Sequence, residues 1–414
     1  MKAKQLLTAL LLVAATRGHA QNKDLDFFVQ QAIRSSPLLK DYGLQEFSNK
    51  IDSQRLKASF LPQVTGNGAA YYAPVIAGFG YDGTITNVHT LNAQLTATKK
   101  FIGKENLKNQ YGAFQLANLG LQNQGRITEQ ELKRSVTQQY ITVYGDMQQL
   151  AFNEELLSLL RSEDSLLKRL TYKSVFKQTD YLSFLVTVQQ QDLLVEQTRM
   201  QSTNDMATLN YLAGITDTTL STLTPPAMPG TDLLVLGQTV FYNQYIIDSL
   251  KLVNADRQID YDYKPKLNAF GDGGYNSSFL DVPYKNFGVS AGISLVIPIY
   301  DGRQRTMLHQ KNKIAEETRK NYLGFYASQY NQQIAQLNQQ LVQTDRMIVR
   351  AQEQLKYVEA LIQAQRKQLV TGDVRITDYI IAIGNYLTAK NIVTQNMTGR
   401  LQIINQIEYW NRKK

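Results

Sequence analysis

Few residues in this chain have the types and spacing that catalysis requires. Its three histidines are His19, His89 and His309, and none lies in a two-ligand spacing or beside a nucleophile signature. The chain contains no cysteine, which excludes disulfides and thiol chemistry. Its eight methionines are scattered and form no path for a soft metal such as copper. The sequence therefore predicts a protein that is not an enzyme and needs no cofactor and no metal.

Phosphate and nucleic acid are also disfavoured as ligands. The glycine-rich run 271–274 lies inside a predicted strand, with no helix and no lysine after it, so it does not fit a phosphate-binding loop. The formal net charge of +9 is mild for 414 residues. Basic residues alternate with acidic ones along helical stretches, whereas a nucleic-acid binder would concentrate them in a stripe. No nucleic-acid partner is expected.

The first twenty residues have the pattern of a secretory signal. Lys2 and Lys4 give a basic start, residues 6–15 form an apolar run, and residues 18–20 supply a small-residue cleavage site. The apolar run is too short to span a bilayer as a helix, which needs roughly 20 residues. A lipid-anchored exported protein would carry a cysteine just after cleavage, and this chain has none. We therefore expect an exported protein without a lipid anchor.

Two segments alternate between apolar and polar residues with a period of two. Residues 90–98 and 287–297 each have about the 9 to 11 residues that a tilted membrane strand needs. Each follows a weaker partner strand, residues 63–72 and 266–275, across a turn-rich loop. The alternative is a pair of soluble antiparallel hairpins with one wet face. In the membrane interpretation the lipid-facing residues are Leu91, Ala93, Leu95, Val289, Ala291, Ile293 and Leu295.

The number of strands restricts the membrane interpretation. Two hairpins supply only four strands per chain, whereas the smallest bacterial barrels have about 8. Open strand edges in lipid would leave backbone N–H and C=O groups without hydrogen bonds. If these hairpins enter lipid, several copies of the chain must share one barrel.

The remaining sequence is helical, and two segments are unusually long. Residues 104–169 and 303–368 contain no proline, and at about 1.5 Å per residue each would extend about 100 Å as a helix. Apolar residues such as Leu337, Leu341 and Ile348 recur at helical spacings, which is typical of helices packed side by side. The predicted class is mainly α with a β-barrel portion. Shorter helices are expected at about 25–58, 180–212, 236–261 and 376–410.

The two halves of the chain repeat the same order of elements. Pro62 and Pro265, and likewise the segments 179–182 and 377–380, lie roughly 200 residues apart, which indicates an internal duplication. The prolines at 225, 226 and 229 and the glycine at 230 mark the junction. We therefore predict a signal peptide at 1–20, a first repeat at 21–224 with its hairpin at 63–98, a linker at 225–230, and a second repeat at 231–414 with its hairpin at 266–297.

At several of these positions the sequence resembles the TolC-type outer-membrane efflux proteins, also called outer membrane factors. The run Ile297–Gly302, I-P-I-Y-D-G, is similar to that family's strand end and P-L-F-D-G turn. The run Leu369–Val374, L-V-T-G-D-V, with Asp378 beyond it, is similar to the family's Y-x-x-G tip and the acidic residue six positions on. The run Tyr211–Gly214 is similar to the end of the family's first repeat. Together these matches cover nearly the whole chain after the leader.

The resemblance implies a homotrimer in which twelve strands close one β-barrel and twelve helical columns form an α-barrel tunnel. It places the barrel in the lipid of the cell outer membrane and the helices in the periplasm. It implies two protein partners, a periplasmic adaptor (membrane fusion protein) and an inner-membrane pump of the RND or ABC type. The implied function is a passive exit duct for tripartite efflux, including multidrug efflux, or type I secretion.

The resemblance also assigns adaptor contact to the turns at the ends of the two long helices. The alternative is that Gly372 caps its helix as a left-handed residue while its apolar neighbours pack locally. Ser174 departs from the family pattern, which has glycine there. The residues assigned by position are Ser174, Val175 and Phe176 in the first repeat, and Gly372, Asp373 and Val374 in the second.

Asp378 matches a family position that lines the pore constriction at the periplasmic mouth. Three copies around a threefold axis would form an acidic ring that attracts cations. The alternative is a first-turn carboxylate that stabilises the helix N-terminus by about 0.3–1 kcal/mol, which is the interpretation favoured for Asp180. Ile381 stands where a second acidic residue often follows in the family, so a single ring is the most that is expected.

One function of another class fits the same pattern. A secreted coiled-coil scaffold or adhesin with partner-binding β-hairpin tips would also combine long helices with hairpins. The two hypotheses differ in extraction from cells, because the duct needs detergent and the scaffold does not.

Overall fold

The computed structural model describes residues 23–82, 89–228, 235–278 and 282–413. The predicted leader and the last two residues of the predicted linker, Pro229 and Gly230, lie outside these ranges. Within them, no helix is both long and apolar enough to cross a membrane. The chain divides into two compact units: unit 1 is Met1–Leu39, Arg126–Val240 and Ala327–Lys414, and unit 2 is Lys40–Gly125 and Phe241–Tyr326. Because each unit takes segments from both halves, the repeat boundaries stay a prediction.

The same succession of helix, hairpin, long helix and helix occurs in each half of the described chain. The first half contains α1 (Leu25–Ser35), α2 (Pro37–Ser59), β1 (Gln63–Tyr72), β2 (His89–Phe101), α3 (Lys104–Tyr172) and α4 (Gln178–Leu212). The second half contains α5 (Val240–Asp262), β3 (Lys266–Ser277), β4 (Phe287–Val296), α6 (Gln304–Thr371) and α7 (Ile376–Trp410). Short 3-10 turns at Leu236–Gln238 and Pro283–Lys285 precede α5 and β4. The mainly α class with a β portion is confirmed.

One predicted helix is two helices in the structure. The pattern predicted a continuous helix at 25–58, but the backbone leaves the helical region at Ser36, which has ψ 116°. The ring of Pro37 excludes the residue before it from that region, and proline has no N–H to continue the helical hydrogen bonds. At the start of α1, the carboxylate of Asp24 accepts the N–H of Phe27 at 2.9 Å.

The described part of unit 1 contains two large buried apolar clusters and a small third one of Leu150, Leu157 and Val195. The first lies where the ends of α3 and α6 meet the starts of α4 and α7, and it includes Phe184, Leu369 and Tyr379, all fully buried. The second joins α1, α3 and α4 through residues such as Phe28 and Met206. Burying one large apolar side chain contributes roughly 1.5–3 kcal/mol. The first cluster therefore holds the turns after α3 and α6 in fixed positions.

Unit 2 contains one antiparallel sheet with the strand order β1-β2-β3-β4. The two hairpins are joined by pairing of β2 with β3: Leu95 lies opposite Gly273, which in turn lies opposite Val289. Directly opposed residues share a face, so the alternating apolar residues of β2 and β4 lie on the same face of the sheet. β1 and β4 are the edges, and within the described residues neither pairs on its outer side.

Apart from exceptions such as Lys99 on the apolar face and Phe270 on the polar face, the two faces of this sheet differ in polarity. The apolar face is open to solvent in the single chain, with Val64 68%, Val289 90% and Ile293 76% exposed. The opposite face is polar, and on it Ser290 Oγ donates to Asp272 Oδ2 at 2.6 Å. A contiguous exposed apolar face is unusual for a monomer in water and indicates contact with lipid or another protein.

Candidate functional site

Two of the features considered for chemistry, His309 and the glycine run 271–274, take part in structural contacts. His309 on α6 lies with Nδ1 2.8 Å from Asp256 Oδ1 and Nε2 3.1 Å from Asp260 Oδ1, both on α5. The hydrogen bond to Asp256, followed by that to Asp260, raises the pKa of His309. Both ring nitrogens are therefore occupied in joining α5 to α6. The glycine run lies within β3, where a Cβ on Gly274 would collide with the backbone of Ala93.

The turns after α3 and α6 have the same backbone geometry. Ser174 has φ 62° and Gly372 has φ 82°, both in the left-handed region. After α3, the N–H of Val175 donates to the carbonyl of Leu170 at 3.0 Å, and after α6 the N–H of Asp373 donates to the carbonyl of Gln368 at 3.0 Å. These six-to-one hydrogen bonds, with a left-handed residue before them, define Schellman caps. The left-handed cap considered for Gly372 is present, and Ser174 adopts it without being glycine.

The two turns lie against each other at the end of unit 1. A Cβ on Gly372 would lie only 2.9 Å from Val175 Cγ1. Phe176 and Val374 are partly buried against the first apolar cluster, whereas Val175 remains 48% exposed. The structure therefore brings together the six residues assigned to adaptor contact, and adaptor contact itself stays a prediction.

Single substitutions at the two caps should have opposite effects on the free energy of unfolding. Ser174→Gly should stabilise the protein by up to about 1 kcal/mol, because relief of left-handed strain is partly offset by the greater freedom of glycine in the unfolded chain. Gly372→Ala should destabilise it by roughly 1–2 kcal/mol, since alanine gains that strain and its Cβ crowds Val175. Denaturant unfolding of each variant in detergent measures both. Equal signs for the two changes would contradict the matched caps.

Asp378 lies in the first turn of α7 and forms a bidentate ion pair within that turn. Arg375 Nε donates to Asp378 Oδ2 at 3.0 Å, and a terminal guanidinium nitrogen donates to Oδ1 at 3.0 Å. The hydrogen bonds and charge of Asp378 raise the pKa of Arg375. Ile381, at the position where the family often has a second acidic residue, is 61% exposed. The sequence interpretation missed Arg375, although a basic residue three positions before an acidic one is a recognisable helical pair.

An ion pair between a buried glutamate and a half-exposed arginine lies beneath the two turns and was not predicted. Arg366 Nε on α6 donates to Glu163 Oε1 on α3 at 2.5 Å, and the Glu163 side chain is only 5% exposed. The hydroxyl of Tyr379 is buried without a hydrogen-bond partner, and burial raises the pKa of Tyr379 to about 12.

The two halves of the chain differ at this tyrosine. In the first half Tyr181 donates its hydroxyl to Asp164 at 2.9 Å. Tyr379 corresponds to Tyr181 in the duplication. The residue that corresponds to Asp164, 17 positions before the tyrosine, is Ile362. Loss of the acceptor in the second half explains the unpaired hydroxyl of Tyr379.

Comparison with known proteins identifies similar folds. Neither the scan of protein families nor the search of curated proteins finds a match. Among solved structures, CusC matches with a TM-score of 0.75 and 13% identity, over 95% of this chain and 93% of that one. The CusC structures concern its folding and transmembrane channel formation. The outer membrane protein VceC of Vibrio cholerae matches at 0.74 and 11% identity, over 94% and 96%. The MtrE outer membrane channel of Neisseria gonorrhoeae matches at 0.70 and 11% identity, over 94% and 89%.

Proposed function

We propose that this chain, which has the fold of the TolC-type outer-membrane channels, is the outer-membrane exit duct of an efflux or secretion system. The observation that supports this most strongly is the sheet, with one exposed apolar face, one polar face and two open edges. In lipid, the open edges must pair. We infer that β1 of one copy pairs with β4 of the next, so that three copies close a barrel with lipid outside and the polar face toward the lumen.

The helices that flank the edge strands support the same assembly. α2 leads into β1 and contains no buried residue, and α6 follows β4. Each exposes large apolar side chains at helical spacing along its length. Pairing of β1 with the β4 of a second copy would bring these two stripes together. The stripes are Leu44, Phe47 and Ile51 on α2, and Ile314, Tyr322 and Phe325 on α6.

The turns after α3 and α6 are the surface that we assign to a periplasmic adaptor. They expose Tyr172 at 92%, Val175 at 48% and Val370 at 54%. Exposed apolar side chains at two adjacent caps suit the apolar face of a helical hairpin. Through that adaptor, an inner-membrane pump of the RND or ABC type would supply the energy, because the duct itself is passive.

The mass of the protein in detergent tests the shared barrel. We expect the protein to require detergent for extraction from the membrane fraction and to have the mass of three chains after correction for bound detergent. Open edges give the physical reason, since a single chain cannot satisfy its edge backbone groups in lipid. A stable folded monomer would contradict the barrel. Extraction in buffer without detergent would favour the secreted scaffold or adhesin instead.

Single-channel recording tests the placement of Asp378 at the mouth. If three copies of the Arg375–Asp378 pair surround the pore, Asp378→Asn leaves three uncompensated guanidinium groups, so the cation-to-anion permeability ratio should fall. Asp192→Asn, which removes one carboxylate from an exposed ion pair with Arg161, is the control and should leave the ratio unchanged. An unchanged ratio in a normally assembled Asp378→Asn trimer would return Asp378 to the role of a first-turn charge.

A further inference from the structure

Two carboxyl groups meet in unit 1 between α3 and α4. Asp146 on α3 interacts with the carboxyl group of Asp205 on α4, and Gln139, two turns earlier on α3, donates hydrogen bonds to Asp205. Asp146 Oδ2 is buried, and the described residues offer it no N–H or O–H donor. Two ionised carboxylates in contact repel each other, so this geometry is favourable only when one of them carries a proton.

Asp205 is the member of the pair whose two carboxylate oxygens accept hydrogen bonds from side-chain amides. The side-chain amide of Gln139 donates to Asp205 Oδ1 at 3.1 Å and to its backbone carbonyl at 3.0 Å. The side-chain amide of Gln201 donates to Asp205 Oδ2 at 2.5 Å. Because both carboxylate oxygens of Asp205 accept from amides, the proton belongs on Asp146.

The surroundings of Asp146 supply no compensating positive charge. Beside it lies a cavity of about 420 Å³ between α3, α4 and α7. Lys390 and Arg400 of α7 line a different cavity, where Arg400 donates to Asp345 at 2.6 Å. The residues that α4 and α7 contribute to the first cavity are all uncharged: Leu194, Thr198, Asn391, Thr394, Gln395, Thr398, Gly399 and Gln402.

We propose that Asp146 and Asp205 share one proton and form a pH-sensitive contact between α3 and α4. When protonated, Asp146 donates its O–H to Asp205 and the two helices are joined. When the proton leaves to solvent, two adjacent carboxylates repel and the contact opens. This contact lies within one chain, so the proposal does not depend on whether the chain forms a channel.

The direction of the pH dependence follows from the environment of Asp146. Burial, then the hydrogen bond to Asp205 and its charge, raise the pKa of Asp146 from 3.8 to about 7. The folded state therefore binds more protons than the unfolded state between these values. The contribution of the contact to stability is complete below about pH 4, falls as the pH rises to about 7, and is absent above that.

Thermal unfolding of the whole protein in detergent at pH 5.5 and pH 8.5 tests the contact. The wild type should unfold at a lower temperature at pH 8.5. In Asp146→Asn this difference should shrink, because the asparagine amide donates to Asp205 at every pH. Asp192→Asn, in an exposed ion pair with Arg161, is the matched control and should keep the wild-type difference. An equal pH difference in wild type and Asp146→Asn would overturn the proposal.

Infrared spectroscopy provides a readout that does not depend on unfolding. The wild type at pH 5.5 should show a protonated-carboxyl C=O band that is absent at pH 8.5. Burial also raises the pKa of Glu408, so only the part of the band lost in Asp146→Asn counts. A band of equal intensity in the two proteins at pH 5.5 would contradict a proton on Asp146.

Discussion

If the proposed barrel is correct, arginine in place of Ile293 should weaken the inserted sheet by about 2–4 kcal/mol, because it would place a charge near the middle of a strand that faces lipid. Ile293 lies within β4 on the apolar face and is 76% exposed in the single chain. We expect fewer assembled trimers in the membrane fraction and a lower urea midpoint for those that form. Native electrophoresis and urea unfolding in lipid measure the two effects.

Arginine in place of Ser290 is the matched control, on the same strand but on the opposite face. Ser290 Oγ contacts Asp272 there, so an arginine would gain a carboxylate partner on the face that we propose lines a wet lumen. We expect Ser290→Arg to assemble close to wild-type levels. Equal assembly of the two variants would show that the apolar face does not meet lipid, and would favour the soluble hairpins.

Replacing Arg366, which is 44% exposed, by methionine should destabilise the protein by roughly 1–3 kcal/mol, since it leaves the buried carboxylate of Glu163 without this partner. The Glu163 side chain is 5% exposed, so little water reaches the charge to compensate it. Chemical unfolding in detergent, followed by helical circular dichroism, measures the loss.

Two control variants test whether the loss of stability in Arg366→Met comes from the burial of Glu163 rather than from the loss of a positive charge. Arg161→Met, on α3, removes an ion pair in which Arg161 and Asp192 are 62% and 52% exposed, so it should cost less than about 1 kcal/mol. The double variant Glu163→Leu/Arg366→Met should recover much of the lost stability, because an apolar pair needs no hydrogen bonds. A small loss in Arg366→Met, equal to that in Arg161→Met, would show that water reaches Glu163.

The sequence by itself determined the kinds of element and the faces they present. Alternation with a period of two identified the hairpins and placed Leu95 and Ile293 on one apolar face, and the strand register confirms that they share it. Spacing and the absence of proline predicted two long helices, which the structure shows as Lys104–Tyr172 and Gln304–Thr371. These features are local, since the periodicity of an element records which side of it is buried.

Only the tertiary structure decided which residues meet across elements. The pairing of β2 with β3 joined two hairpins far apart in the chain. The contacts Glu163–Arg366 and Asp146–Asp205 each join residues of different helices. Ser174 adopts a left-handed cap that its residue type does not favour, because the turn around it is held by the packed helix ends. A periodic pattern states that a side chain is buried but not what it is buried against, and the partner decides whether a carboxylate is paired, protonated or exposed.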